Sequence, residues 1–111
     1  MKKFPSIKKN EEFRSIYNKG KSIANKFLIM YVVDNESTDN RIGISVSKKV
    51  GNSIVRHRLT RILRECFRLH LPEIKEGYDI VVVIRAGAKG ENYESLSEAY
   101  MDLARKLSIA K

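Results

Sequence analysis

At 111 residues and 42% hydrophobic content, the chain carries enough apolar material for one packed domain, residues 1–111, and too little length for a second. One cysteine, Cys66, excludes an internal disulfide and a multi-cysteine zinc site, and no apolar run nears the roughly 20 residues that span a bilayer. The net charge of +9 is concentrated, because residues 41–70 hold eight Lys or Arg against Glu65 alone, the footprint of a polyanion partner and not of a spread-out solubility device.

Lys2 and Lys3 precede no apolar stretch, so the N-terminus does not read as a secretory signal, and a cytoplasmic protein is expected. "KKNEEFRSIYNKGK" reads as a first helix, with Asn10 as its cap, Glu11 and Glu12 at the positive end of its dipole and Gly20 as its stop. Phe27–Asp34 is a continuous apolar run and predicts a strand buried on both faces. Phe27, Ile29, Tyr31 and Val33 share one of those faces. After the turn "NESTDN", Arg41–Ser47 alternates, with Ile42, Ile44 and Val46 to one side, and is expected to pair antiparallel with the strand before it. Gly51-Asn52-Ser53 opens a long helix that Pro72 ends. "YDIVVVIRAG" is another buried strand. "NYESLSEAYMDLARKLSIA" is a closing helix with Leu96, Ala99, Tyr100, Leu103 and Leu107 on one stripe. The expectation is an α+β sandwich of order αββαβα, helices packed on a small mixed sheet.

The long helix holds the charge. At about 100° per residue, Val55, Leu59, Ile62, Cys66 and Leu69 fall in one arc, and His57, Arg61, Arg64 and Arg68 gather nearly opposite. Arg58 and Glu65 flank that ridge, and Arg56 lies on its other side. A solvated helix face normally interleaves acids with bases at i,i+4, because like charges at that spacing repel. Here arginine follows arginine, and its planar fork suits bidentate phosphate contact and base stacking. Lys48 and Lys49 stand beside the helix N-terminus, whose free N–H groups already attract anions. The spaced glycine and Lys-Ser/Thr ending of a nucleotide-binding loop is missing, so a nucleotide hydrolase is not indicated. Nucleic acid is favoured over a membrane, since no basic amphipathic segment carries a bulky insertion face. The short companion helix of a helix-turn-helix reader is missing too, which disfavours DNA.

"SKKVGNSIVRHRLTRILRECFR" resembles the protein component of bacterial ribonuclease P, with its strand, its Lys-Lys-hydrophobic-Gly-Asn turn and its arginine-signature helix. "NEEFRSIYNKGKS" and "ANKFLIMYVVD" are similar to that family's first helix and first long strand, so the likeness runs nearly the whole length. It departs at His57, which stands between Arg56 and Arg58 where the family has asparagine; a neutral imidazole can likewise donate and accept. The resemblance implies a left-handed βαβ crossover, which general rules disfavour. It also implies a subunit that binds the catalytic RNA of ribonuclease P, which removes the 5′ leader of precursor tRNA. Hydrolysis would fall to Mg2+ held by the RNA, and the protein alone would be inactive. The implied catalytic-RNA contacts are Lys48, Lys49, Asn52, Arg56, His57, Arg58, Arg61, Arg64 and Arg68. The implied leader contacts are Phe13, Tyr17, Ile29 and Tyr31, in a cleft between the first helix and the sheet. A non-catalytic ribosomal or other RNA-binding protein on a related fold is the alternative; it has the basic helix but no need of aromatic leader contacts. Cys66 and Ile16 read as core, His70 as a complement to the helix dipole, and no Ser/His/Asp or paired-carboxylate set is evident.

Overall fold

The most apolar stretch of the chain sits at the centre of its sheet. The computed structural model describes Ser6, Ile7 and residues 9–111. In chain order the elements are α1 (Asn10–Lys19), β1 (Lys21–Ala24), β2 (Leu28–Asp34), β3 (Arg41–Val46), α2 (Ser53–His70), β4 (Tyr78–Ile84) and α3 (Tyr93–Lys106), with short 3-10 turns at Leu71–Glu73 and Ala86–Ala88. The strands lie in the order β1-β2-β4-β3. The α+β architecture with a mixed sheet is as expected, with one strand added. β1 has only the β-branched Ile23 to mark it as a strand, and four residues are too few to show an alternation in the sequence.

β2 and β3 do run in opposite senses, but they are not partners. β4 lies between them, antiparallel to β2 and parallel to β3. The reason is solvation: β4 is apolar along nearly its whole length and takes the position shielded on both faces and both edges. β3, α2 and β4 thus form a βαβ unit.

Side-chain alternation divides the sheet into two faces. Leu28, Met30, Val32, Ile42, Ile80, Val82 and Ile84 point to the main core beneath α2 and α3. Tyr31, Val33, Val81 and Val83 point the other way and pack with Ile7, Phe13 and Ile16 beneath α1. Phe27, expected on the Tyr31 face, precedes β2 and packs against the main core instead. From α3 the main core takes Leu96, Ala99, Tyr100, Met101, Leu103 and Ala104, so the buried face is wider than the sequence stripe. From α2 it takes Leu59, Leu63, Cys66 and Phe67. Leu69, assigned to the apolar arc, is 48% exposed. The buried arc is turned toward Leu63 and Phe67, because α2 packs on both the sheet and α3. Burial also pushes the Cys66 thiol up to about 12, as befits a core residue. Among the described residues no helix is long and apolar enough to cross a membrane.

Candidate nucleic-acid interface

α2 begins at a side-chain cap, where Asn52 Oδ1 accepts from the Val55 N–H at 3.0 Å. The oxygen of Asn52 is therefore committed to the helix, leaving its amide NH2 as the group that faces outward. The turn before it pins Val50 in the core and leaves Lys48 and Lys49 exposed. No acid occupies the first turn of α2, so the positive end of its dipole is not neutralised locally.

The ridge is present, but its members are not equivalent. His57, Arg61 and Arg64 are exposed, and they line a hollow with Arg56, Thr60 and Val46. Arg56 is half-buried, and its Nε lacks a hydrogen-bond partner among the described residues. Two cations of the helix are already engaged by protein. Arg58 Nη2 donates to the Glu91 carbonyl at 2.8 Å, tying α2 to the segment before α3, and Arg68 pairs with Glu65.

Across β3 lies an aromatic groove. Gly43 lets α1 sit close to the sheet, since a Cβ there would lie 2.9 Å from Phe13 Cζ. Phe13 and Tyr17, one turn apart, have ring centroids 6.3 Å apart, and Tyr17 meets Tyr31 edge-on at 4.8 Å. Phe13 and Tyr17 line the groove with Asn10, Arg14, Ser45 and Val46. Tyr31 supports Tyr17 from the floor. Ile29 is one row further on, paired with Ala24 and Val83 and half-buried. Ile16 is core, as expected. Arg14 was not singled out in the sequence; its place one residue after Phe13 and three before Tyr17 was the available signal. Asn10 is the first helical residue of α1 and not its cap, since Lys9 holds that position without a side-chain bond.

Ridge and groove meet at β3. Val46 borders both, and Ile44 borders the groove while also lining, with Arg64, a small hollow beside Ser6 and Ile7. A strand of nucleic acid lying over β3 can therefore touch guanidinium groups on one side and aromatic rings on the other. Phosphate suits the first and unstacked bases the second.

One constellation went unnoticed in the sequence. His70 bonds Ser97 Oγ through Nε2 at 2.6 Å and Glu73 through Nδ1, in the order of a nucleophile relay. Ser97 lies within α3, where backbone N–H groups are consumed by the helix and leave no oxyanion donors. His70 also stacks on the buried Tyr100, so the trio serves as a tether between the end of α2 and α3. Among the described residues no three His, Cys, Asp or Glu side chains gather as metal ligands.

The family model described as ribonuclease P matches residues 1–108 of the chain. The ribonuclease P protein component of Lachnoclostridium phytofermentans is 55% identical over 100 residues, covering 90% of this chain and 86% of its own. That of Alkaliphilus metalliredigens is 47% identical, covering 93% of each. Among solved structures, the RNase P protein of Staphylococcus aureus superposes with a TM-score of 0.88 at 35% identity, covering 98% of this chain and 100% of its own. The Thermotoga maritima protein gives 0.84 at 28% identity, covering 91% and 96%.

Proposed function

The chain belongs to the ribonuclease P protein family, whose members are the protein subunit of that tRNA-processing ribonucleoprotein, and from this premise we propose a division of labour between its two surfaces. α2 and the turn before it hold the catalytic RNA through Lys48, Lys49, Arg56, His57, Arg61 and Arg64, with the Asn52 amide at the helix start. The groove under α1 receives the single-stranded 5′ leader of precursor tRNA, whose bases stack on Phe13 and Tyr17 while Tyr31 backs them and Ile29 extends the floor. Arg58 and Arg68 contribute less, because Glu91 and Glu65 already occupy them. Hydrolysis belongs to the RNA and to the Mg2+ it holds, and the protein positions the two RNAs. The protein works in the cytoplasm, where precursor tRNA is made.

The observation that carries this reading is the meeting of ridge and groove across one edge strand. A purely RNA-anchoring protein would need the ridge alone. The test is reconstitution: the purified chain leaves precursor tRNA intact, and adding the catalytic RNA produces cleavage at low Mg2+. Robust cleavage by the RNA-free protein would overturn the assignment.

A further inference from the structure

Helix α1 is lightly anchored for an element that carries two of the leader-facing rings. It buries only Ile16 outright. At its C-terminal end Gly20 passes close to β2, where a Cβ would come within 3.0 Å of the Val32 carbonyl oxygen. At its N-terminal half the packing of Phe13 is accompanied by a polar fastening. Arg41, on the same face of β3 as Gly43, grips Asp79 of β4 with two bonds, Nε to Oδ1 at 2.8 Å and Nη2 to Oδ2 at 2.6 Å. Its third nitrogen, Nη1, lies 2.9 Å from Glu12 Oε2 of α1. That last contact is off the N–H axis, so it is a charge attraction more than a directed bond. Asn35 braces the same carboxylate, donating to Asp79 Oδ1 at 2.9 Å and to the Asp39 carbonyl at 2.9 Å. The guanidinium is thus fixed at a set height above β3, and Glu12 must come to it.

Glu12 immediately precedes Phe13, whose ring lies over Gly43, two residues along β3 from Arg41. The register of α1 on β3 is therefore set at adjacent residues by one polar and one apolar contact. We propose that Arg41 is a positioning residue for leader recognition, acting through Glu12 to hold the Phe13 ring at the working height of the groove. The inference rests on the leader reading above. It assigns Arg41 and Glu12 no contact with RNA, and the ion pair with Asp79 supplies the rigid base that makes the arrangement directional.

The test uses the chain reconstituted with its catalytic RNA and compares affinity for leader-bearing and leaderless tRNA. Glu12→Gln removes the charge from α1 while leaving the Arg41–Asp79 grip intact. It should lower that affinity ratio about fivefold, the lower end of one stacked base, while catalytic-RNA affinity stays unchanged. Phe13→Ala should lower the ratio further. Because Glu12 acts through Phe13, the double variant E12Q/F13A should be no worse than F13A alone. Full additivity, an unchanged ratio for E12Q beside a reduced one for F13A, or an equal loss of catalytic-RNA affinity would each overturn the positioning role. If F13A itself leaves the ratio intact, the leader reading fails first and the inference falls with it.

Discussion

Replacing Arg61 and Arg64 together by alanine removes the two exposed ridge arginines that, among the described residues, the protein does not itself engage, Arg56 being half-buried. Each phosphate neutralised by a cation releases counterions, contributing about 0.7 to 0.9 to the slope of log K against log salt. If each arginine holds one phosphate, the double variant should show a slope shallower by about 1.4 to 1.8. Raising the salt fourfold should then cost the wild type about 7 to 12 times more affinity than it costs the variant. Both positions are exposed, and they form a like-charge pair at i,i+3, so the change should move stability by no more than about 0.5 kcal/mol. The assay is catalytic-RNA binding by filter retention or anisotropy across a KCl series at fixed Mg2+, with thermal melting as the control. An unchanged slope with weakened binding would refute the phosphate role and point to contacts with bases. A slope lowered equally by Arg68→Ala would refute the distinction drawn between free and engaged arginines.

Leu63→Ala, at a fully buried position, should destabilise by about 2–5 kcal/mol, whereas Leu69→Ala should stay within about 0.5 kcal/mol; chemical denaturation of the two variants checks the orientation of α2. Asp79 tests the sheet-edge network through pH. Burial alone would push its carboxyl up, but the bonds from Arg41 and Asn35 and the charge of Arg41 outweigh it, so the group is held below the ordinary aspartate value. A depressed folded value adds stability that is present above the unfolded pKa of about 3.9 and is lost as pH falls through the folded one. Asp79→Asn should therefore be less stable at neutral pH and lose less on acidification. Urea midpoints at pH 5 and pH 3 give the comparison, and parallel losses in both proteins would exclude Asp79 as a contributor.

The charged helix was legible because it rests on spacing within one element, whereas the aromatic groove followed from the family resemblance, since the spacing of its rings suits core packing equally well. Arg61 and Arg64 share a face by helical count, and so do Phe13 and Tyr17. What spacing cannot show is how elements meet. The place of β4 between β2 and β3 depends on a comparison of burial across three strands, which no single stretch contains. The true buried arc of α2 follows from its packing on α3 as well as the sheet, so Leu63 and Phe67 displaced Leu69. The engagement of Arg58 by Glu91 joins residues 33 positions apart, and the tie from Glu12 through Arg41 to Asp79 spans three elements. β1 escaped notice for a different reason: four residues, of which only Ile23 and Ala24 are apolar, give no period to read.

The two borders of the sheet bear on how readily one copy of the chain could pair with another. An unpaired strand border is a template for another chain. Here β1 closes one side with a short, mostly exposed strand headed by Lys21. On the other side, Ser6 bridges Ile42 and the Ile7 N–H donates to the Ile42 carbonyl at 2.8 Å, so the chain covers the first half of β3 with its own backbone. Among the described residues nothing pairs with the short run from Ile44 to Val46, which is flanked by Arg61 and Arg64, whose like charge would repel a second copy. The same charge that draws in RNA thus guards the sheet before the RNA arrives.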